Sequence, residues 1–180
     1  PLQFAVIQQI FSCKKTILGD FSQSLNPFAI NGVNSFTTIF PQMDFVELKK
    51  SYRSSYEIIE FTKQFLPEGF IEAVERHGEQ PCVLPYKTLQ EQQQLIKEQL
   101  KNFQQSALKT CGIICKTAVQ VERLRSTVEA MNGHVLDEQS TKFHQGITLT
   151  TVQLAKGLEF DTVIIPFVDG DTYESEFDKG

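Results

Sequence analysis

Apolar residues recur along this chain in two alternating periods, one of about 3.6 residues and one of 2, the signatures of helix and strand. Phe4, Ile7 and Ile10 keep helical spacing, so residues 1–10 read as the end of an amphipathic helix and the chain as a piece of something longer. Thr16-Ile17-Leu18 reads as a short strand that runs into the polar loop Gly19-Asp20-Phe21-Ser22-Gln23-Ser24. Asn26-Pro27 and Asn31-Gly32 are turn signals, so residues 26–44 are expected to be irregular or to hold one short helix, and a domain boundary fits best there. Residues 45–49 alternate as a strand does. Ser54 with Glu57 then forms a capping box for a helix carrying Ile58, Phe61, Thr62 and Phe65 or Leu66, which Pro67 ends. Residues 71–76 and 82–86 read as further strands around a turn at 77–81. A second capping box, Thr88 with Glu91, opens a helix from Leu89 to about Ala107 with a glutamine-rich solvated face. Cys111 to Cys115 reads as a buried strand. Thr117 with Gln120 opens a helix bearing Val121, Leu124, Val128 and Met131, which Asn132-Gly133 stops.

The pattern closes on strand, polar loop, strand. Residues 147–152 alternate β-formers with threonines, residues 162–168 form a nearly unbroken apolar run suited to a strand buried on both faces, and Ala155-Lys156-Gly157-Leu158-Glu159 lies between. That loop is either an ordinary connection with a turn glycine or a ligand loop of the kind open α/β sheets place beside strand ends. Alternating strands and helices imply an α/β fold, a mainly parallel sheet flanked by helices. Residues 169–180 are acidic, lack a packing pattern, and are expected to fray.

Composition narrows this little. The 180 residues are 41% hydrophobic and 22% charged, as in globular proteins generally. A formal charge of −5 argues against a strongly basic nucleic-acid module. No apolar run could span a bilayer and no signal peptide opens the chain, which leads to the expectation of a cytoplasmic protein with no membrane partner. Cys13, Cys82, Cys111 and Cys115 are too scattered for a disulfide framework, and nothing follows Cys111 and Cys115 at metal-site spacing, so no metal site is expected. His77, His134 and His144 stand apart from one another and from any nucleophile pattern.

Candidate chemistry gathers in three polar clusters at strand ends: residues 19–24, 51–55 and 155–159. Arg53 lies just ahead of a helix N-terminus, where backbone N–H groups favour an anion and a guanidinium adds bidentate reach to phosphate; a surface ion pair is the alternative. No Gly-x-x-x-x-Gly-Lys-Ser/Thr occurs, so any nucleotide site here is half a site.

Taken together, the clusters resemble the UvrD-like helicases of superfamily one, and within them the HelD, or helicase IV, branch. Residues 19–25 resemble motif III, Lys50-Ser51-Tyr52-Arg53-Ser54-Ser55 resembles motif IV, and residues 150–160 resemble motif V, in the family's order and spacing. The resemblance implies a RecA-like fold of the P-loop NTPase type: residues 1–43 as the tail of a first motor domain, 44–168 as an incomplete second motor domain, and 169–180 as a tail. It further implies that Gln23 senses the γ-phosphate of ATP with Asp20 in the same switch, that Tyr52 stacks on adenine, and that Arg53 reaches the γ-phosphate. Gly157 would allow close backbone approach and Glu159 would bond the ribose. Phe28 would stack on a base of single-stranded DNA or else pack in a core, and Thr151 and Gln153 would face the DNA backbone. Gln153 stands where many relatives have histidine. Motifs I, Ia, II and VI are absent, so the implied cofactors, ATP with Mg2+, belong to a longer protein in which the missing first motor domain is a partner. HelD-like proteins resemble helicases yet act on RNA polymerase, so remodelling of polymerase is a second reading. A non-catalytic interaction domain is a third.

Overall fold

A computed structural model describes residues 2–20, 33–65, 71–140, 145–170 and 172–173. The chain divides into two compact units, Pro1–Cys82 and Val83–Gly180.

In the first unit, helix α1 (Leu2–Ile10) meets helix α2 (Val33–Ile39) through an edge-to-face contact of Phe4 and Phe36, ring centroids 4.9 Å apart. The one short helix expected within 26–44 is α2. The strands expected at 16–18 and 45–49 do not form: Leu18 is 87% exposed, and Phe45, Val46 and Leu48 are exposed as well. A strand exists only where a neighbour completes its hydrogen bonds, and alternation alone cannot supply one. The ladder starts at β1 (Lys50–Ser51), which pairs in parallel with β2 (Glu72–Ala73) and no more of the expected 71–76 strand. Helix α3 (Tyr56–Thr62) follows, capped by Ser55, whose hydroxyl accepts from the Ile58 N–H, and not by the expected Ser54. Pro67, expected to end this helix, lies outside the described residues.

The second unit holds a four-stranded, wholly parallel sheet in the order β4-β5-β3-β6, built from β3 (Thr110–Cys115), β4 (His134–Val135), β5 (Gly146–Thr151) and β6 (Thr162–Ile164). Helix α4 (Leu89–Gln105), helix α5 (Ala118–Glu129) and a single turn, α6 (Val152–Ala155), flank it. The fold is thus the expected parallel sheet flanked by helices. One core joins Ile96, Leu100 and Phe103 of α4, Val121, Leu124 and Val128 of α5, Cys111, Ile113 and Cys115 of β3, and Ile147 and Leu149 of β5. Both strand cysteines are fully buried, and burial pushes their thiols up to about 12.

Local signals account for the helix ends. Thr88 accepts from the Glu91 N–H, although Glu91 returns its bond to the Lys87 N–H. At Thr117 the box is complete, with Gln120 accepting from the Thr117 N–H at 3.1 Å. Asn132 takes a left-handed φ of 58° and the Gly133 N–H closes on the Val128 carbonyl at 2.9 Å, a Schellman-type end. Gly133 is also required sterically, since a Cβ there would lie 2.4 Å from Val128 Cγ1.

Further expectations change. Residues 82–86 form no ladder, and β4 forms without having been expected. β6 is three residues long and, among the described residues, pairs with β3 alone, and Val163 within it and Ile165 just beyond it are exposed. The α4 glutamines are not all solvated, since Gln92 is 3% exposed beside the Tyr86 hydroxyl with no completed hydrogen bond. The start of the tail is docked: Asp169 accepts from the Tyr86 hydroxyl and the Thr172 N–H, and the Lys116 ammonium reaches the Thr172 carbonyl and the Tyr173 ring.

Candidate functional site

Of the residues singled out near the N-terminus, Asp20 is exposed, while Gln23 and Phe28 lie outside the described residues. The loop from β1 to α3 carries Tyr52 and Arg53. Tyr52 is 73% exposed, and the Arg53 side chain is exposed on the same loop. The loop backbone is braced from β2's far end: Arg76 Nη1 donates to the Arg53 carbonyl at 3.3 Å, and the Tyr56 N–H donates to the Arg76 carbonyl at 2.8 Å. An exposed phenol ring and a guanidinium are therefore carried on a backbone tied at both ends.

Glu57 does not complete a capping box. Its carboxylate accepts from the His77 ring nitrogen and the Gly78 N–H, each at 2.8 Å, because the 76–78 segment comes back against the first turn of α3. These bonds, His77's first, hold the Glu57 carboxyl down at about 2 from an ordinary 4.5. His77, which spacing left without a role, is thus a partner for Glu57. A cavity of about 370 Å³ opens beside this pair, lined by Tyr56, Phe61, Gln64 and Gln80 among others. Sequence spacing gave no sign of it, since its walls are 20 residues apart in the chain. A folded-state value below the unfolded one means that the bond's stabilisation is present above pH 4.5 and is lost as pH falls toward about 2. Carboxyl NMR titration is expected to place the Glu57 midpoint near 2, and His77→Ala to raise it.

In the second unit the other implied residues follow β5. Thr151, half-buried, is the last ladder residue and the N-cap of α6 without a side-chain cap bond, and Gln153 is exposed on α6. Ala155 is buried, Gly157 takes φ 87° with open space where a Cβ would be, and Glu159 is exposed. The 155–159 loop was expected at a strand end. It follows the end of β5 and the single turn α6, and the connection as a whole then returns along the sheet: Thr151 pairs with Cys115 at the end of β3, whereas Thr162 pairs with Cys111 near its start. A parallel β6 must begin at the same end as β3, so the connection has to return. Its return is anchored where the Phe160 ring covers Gly112 and Asp161 accepts from the N–H groups of Lys109 and Thr110. Those donors hold the Asp161 carboxyl below its ordinary range.

Among the described residues, no group of three or more His, Cys, Asp or Glu is placed to hold a metal ion, and no helix is long and apolar enough to cross a membrane.

No protein-family model matches the chain, and no curated protein matches it. Among solved structures, the C-terminal domain of a possible DNA helicase from Lactobacillus plantarum WCFS1 superposes with a TM-score of 0.58 at 28% identity, covering 72% of this chain and 76% of that one. The chain is similar to a helicase C-terminal domain. That similarity accords with the parallel sheet flanked by helices.

Proposed function

We propose that this chain is the C-terminal motor part of an ATP-dependent, UvrD-like DNA helicase of the HelD branch, active only beside a first motor domain that supplies the phosphate-binding loop. The 28% identity to a helicase C-terminal domain over 72% of the chain carries the helicase part of this reading, and the UvrD-like, HelD-branch part rests on the motif-like loops. The motif-like loops give it residues. Residues 1–43 would end the first motor domain and 44–168 would form most of the second, a boundary distinct from the division at Cys82 and Val83 into compact units.

In this reading ATP with Mg2+ binds between motor domains. The chain's own contribution is positional and electrostatic: Tyr52 stacks on adenine, Arg53 neutralises charge at the γ-phosphate, and Asp20 with Gln23 registers its loss. Gly157 suits close backbone approach because nothing lies where its Cβ would stand and its φ of 87° favours glycine, and exposed Glu159 would meet the ribose from the same loop. Thr151 and Gln153 face the single-stranded DNA backbone and Phe28 stacks on a base. The protein would work in the cytoplasm.

The test compares the 180-residue chain with the longer motor protein. The isolated chain is expected to show no ATP turnover, and the longer protein to hydrolyse ATP and separate strands. Turnover by the isolated chain would refute the half-site. A longer protein that recovers RNA polymerase and separates no strands would replace DNA unwinding with polymerase remodelling.

A further inference from the structure

The loop proposed to meet nucleotide is held by residues that no motif role covers. We infer that Thr110 and Asp161 are positioning residues, which together with the Phe160–Gly112 contact set where Gly157 and Glu159 stand. One Asp161 oxygen, Oδ2, accepts three bonds: from the Lys109 N–H at 2.8 Å, the Thr110 N–H at 2.9 Å and the Thr110 hydroxyl at 3.1 Å. The Thr110 hydroxyl oxygen in turn accepts from the Asp161 N–H at 2.9 Å. Side chain and backbone of both residues are therefore engaged reciprocally, and charge-assisted bonds to a carboxylate are the stronger kind. The same strand start is tied to β5, where the Gly146 N–H donates to the Lys109 carbonyl at 2.9 Å.

One residue before this clasp, the Phe160 ring lies so close to Gly112 that a Cβ there would meet it at 2.8 Å. A glycine inside a strand often marks such a close approach. At its other end the loop leaves from buried Ala155, whose carbonyl accepts from the Leu158 N–H at 2.9 Å. Gly157 and Glu159 thus lie between two anchored points, and the second can be released without touching Ala155. This inference rests on the nucleotide role proposed for Glu159 only in its functional consequence. The clasp itself is a property of the fold.

Two readouts test it. In the 180-residue chain, hydrogen exchange is followed at amides 156–160, with amides 111–115 and 147–151 as controls for the core. Asp161→Ala and Thr110→Val are each expected to speed exchange in the loop by about tenfold or more while core amides stay protected, and Asp161→Asn, which keeps an accepting oxygen, to restore part of the protection. Loop protection unchanged in both Asp161→Ala and Thr110→Val overturns the clasp. Should Asp161→Ala lose core protection as well, Thr110→Val decides, since it removes one hydroxyl from a strand residue. In the ATP-hydrolysing protein that carries this chain, Asp161→Ala is expected to raise KM for ATP about tenfold with kcat changed less than roughly threefold, and to add little to Glu159→Ala. If Glu159→Ala leaves KM unchanged while Asp161→Ala still frees the loop, the clasp stands and the ribose role falls. If Glu159→Ala raises KM and Asp161→Ala does not, the clasp is no positioning device.

Discussion

Leu149→Ala is expected to destabilise the second unit by about 2–5 kcal/mol, the range for removing a leucine side chain from a packed core. Leu149 is 0% exposed, and its backbone lies opposite Ile113 of β3 and Val135 of β4. It belongs to the cluster that joins β3 and β5 to α4 and α5, so the gap would open where sheet and helices meet. Lost transfer energy and the residual cavity both count against the folded state, and a site walled by two strands has little room to collapse. The two units need not unfold together, so the measurement should report on the second alone. Cys111 and Cys115 provide this: both are fully buried in β3, and burial keeps their thiols protonated and unreactive until the sheet opens. Modification of these two thiols in increasing urea is expected to move to clearly lower denaturant in Leu149→Ala. Leu18→Ala, at a position 87% exposed in the other unit, is expected to leave it in place. An unchanged midpoint for Leu149→Ala would show that this residue is not central to the core.

What the sequence revealed about the fold divides along the range of the interactions. The caps at Thr88 and Thr117 were legible because donor and acceptor lie within four residues, and so were the end at Asn132-Gly133 and the buried run from Cys111. The cap at α3 shifted by one residue because two adjacent serines could serve equally and the nominal partner, Glu57, was taken by His77 from 20 residues away. Strands at 16–18, 45–49 and 82–86 failed for the opposite reason: nothing local says whether a partner arrives. α6 was hidden because Val152 continues the β-branched pattern of the strand before it.

The candidate site divides the same way. Arg53 was readable as a cation just ahead of a helix start, Tyr52 through the motif resemblance alone, and Gly157 as a turn glycine, which its φ of 87° requires. The return of the β5–β6 connection along the sheet was not readable, because it depends on which strand β6 joins. Nor was the Thr110–Asp161 clasp, made across 51 residues. One signal did exist. Gly112 interrupts an otherwise β-favouring run, and an interior strand glycine asks what approaches it; the answer is Phe160.

Under the proposed motor role, Arg53→Ala is expected to lower kcat for ATP hydrolysis about 10³-fold in the full-length protein, with nucleotide KM changed far less. The argument begins with the loop. Arg53 lies two residues past β1 and three before α3, and its carbonyl is fixed by Arg76 while the start of α3 is fixed by the Arg76 carbonyl. The guanidinium therefore extends from a held backbone, which limits the backbone entropy lost when it meets a phosphate. During phosphoryl transfer, negative charge spreads over the oxygens of the migrating group, and a cation that meets it there stabilises the transition state more than bound ATP. Removing such a group acts on kcat. Arg53→Lys is expected to recover only part of the rate, since an ammonium lacks the planar fork that grips two oxygens together. Arg76→Ala, which loosens the brace and leaves the charge, is expected to fall between wild type and Arg53→Ala. Steady-state hydrolysis in the presence of single-stranded DNA checks all three. If kcat in Arg53→Ala stays within roughly threefold of wild type while strand separation is also retained, Arg53 is a surface cation and the catalytic charge must be sought in another residue.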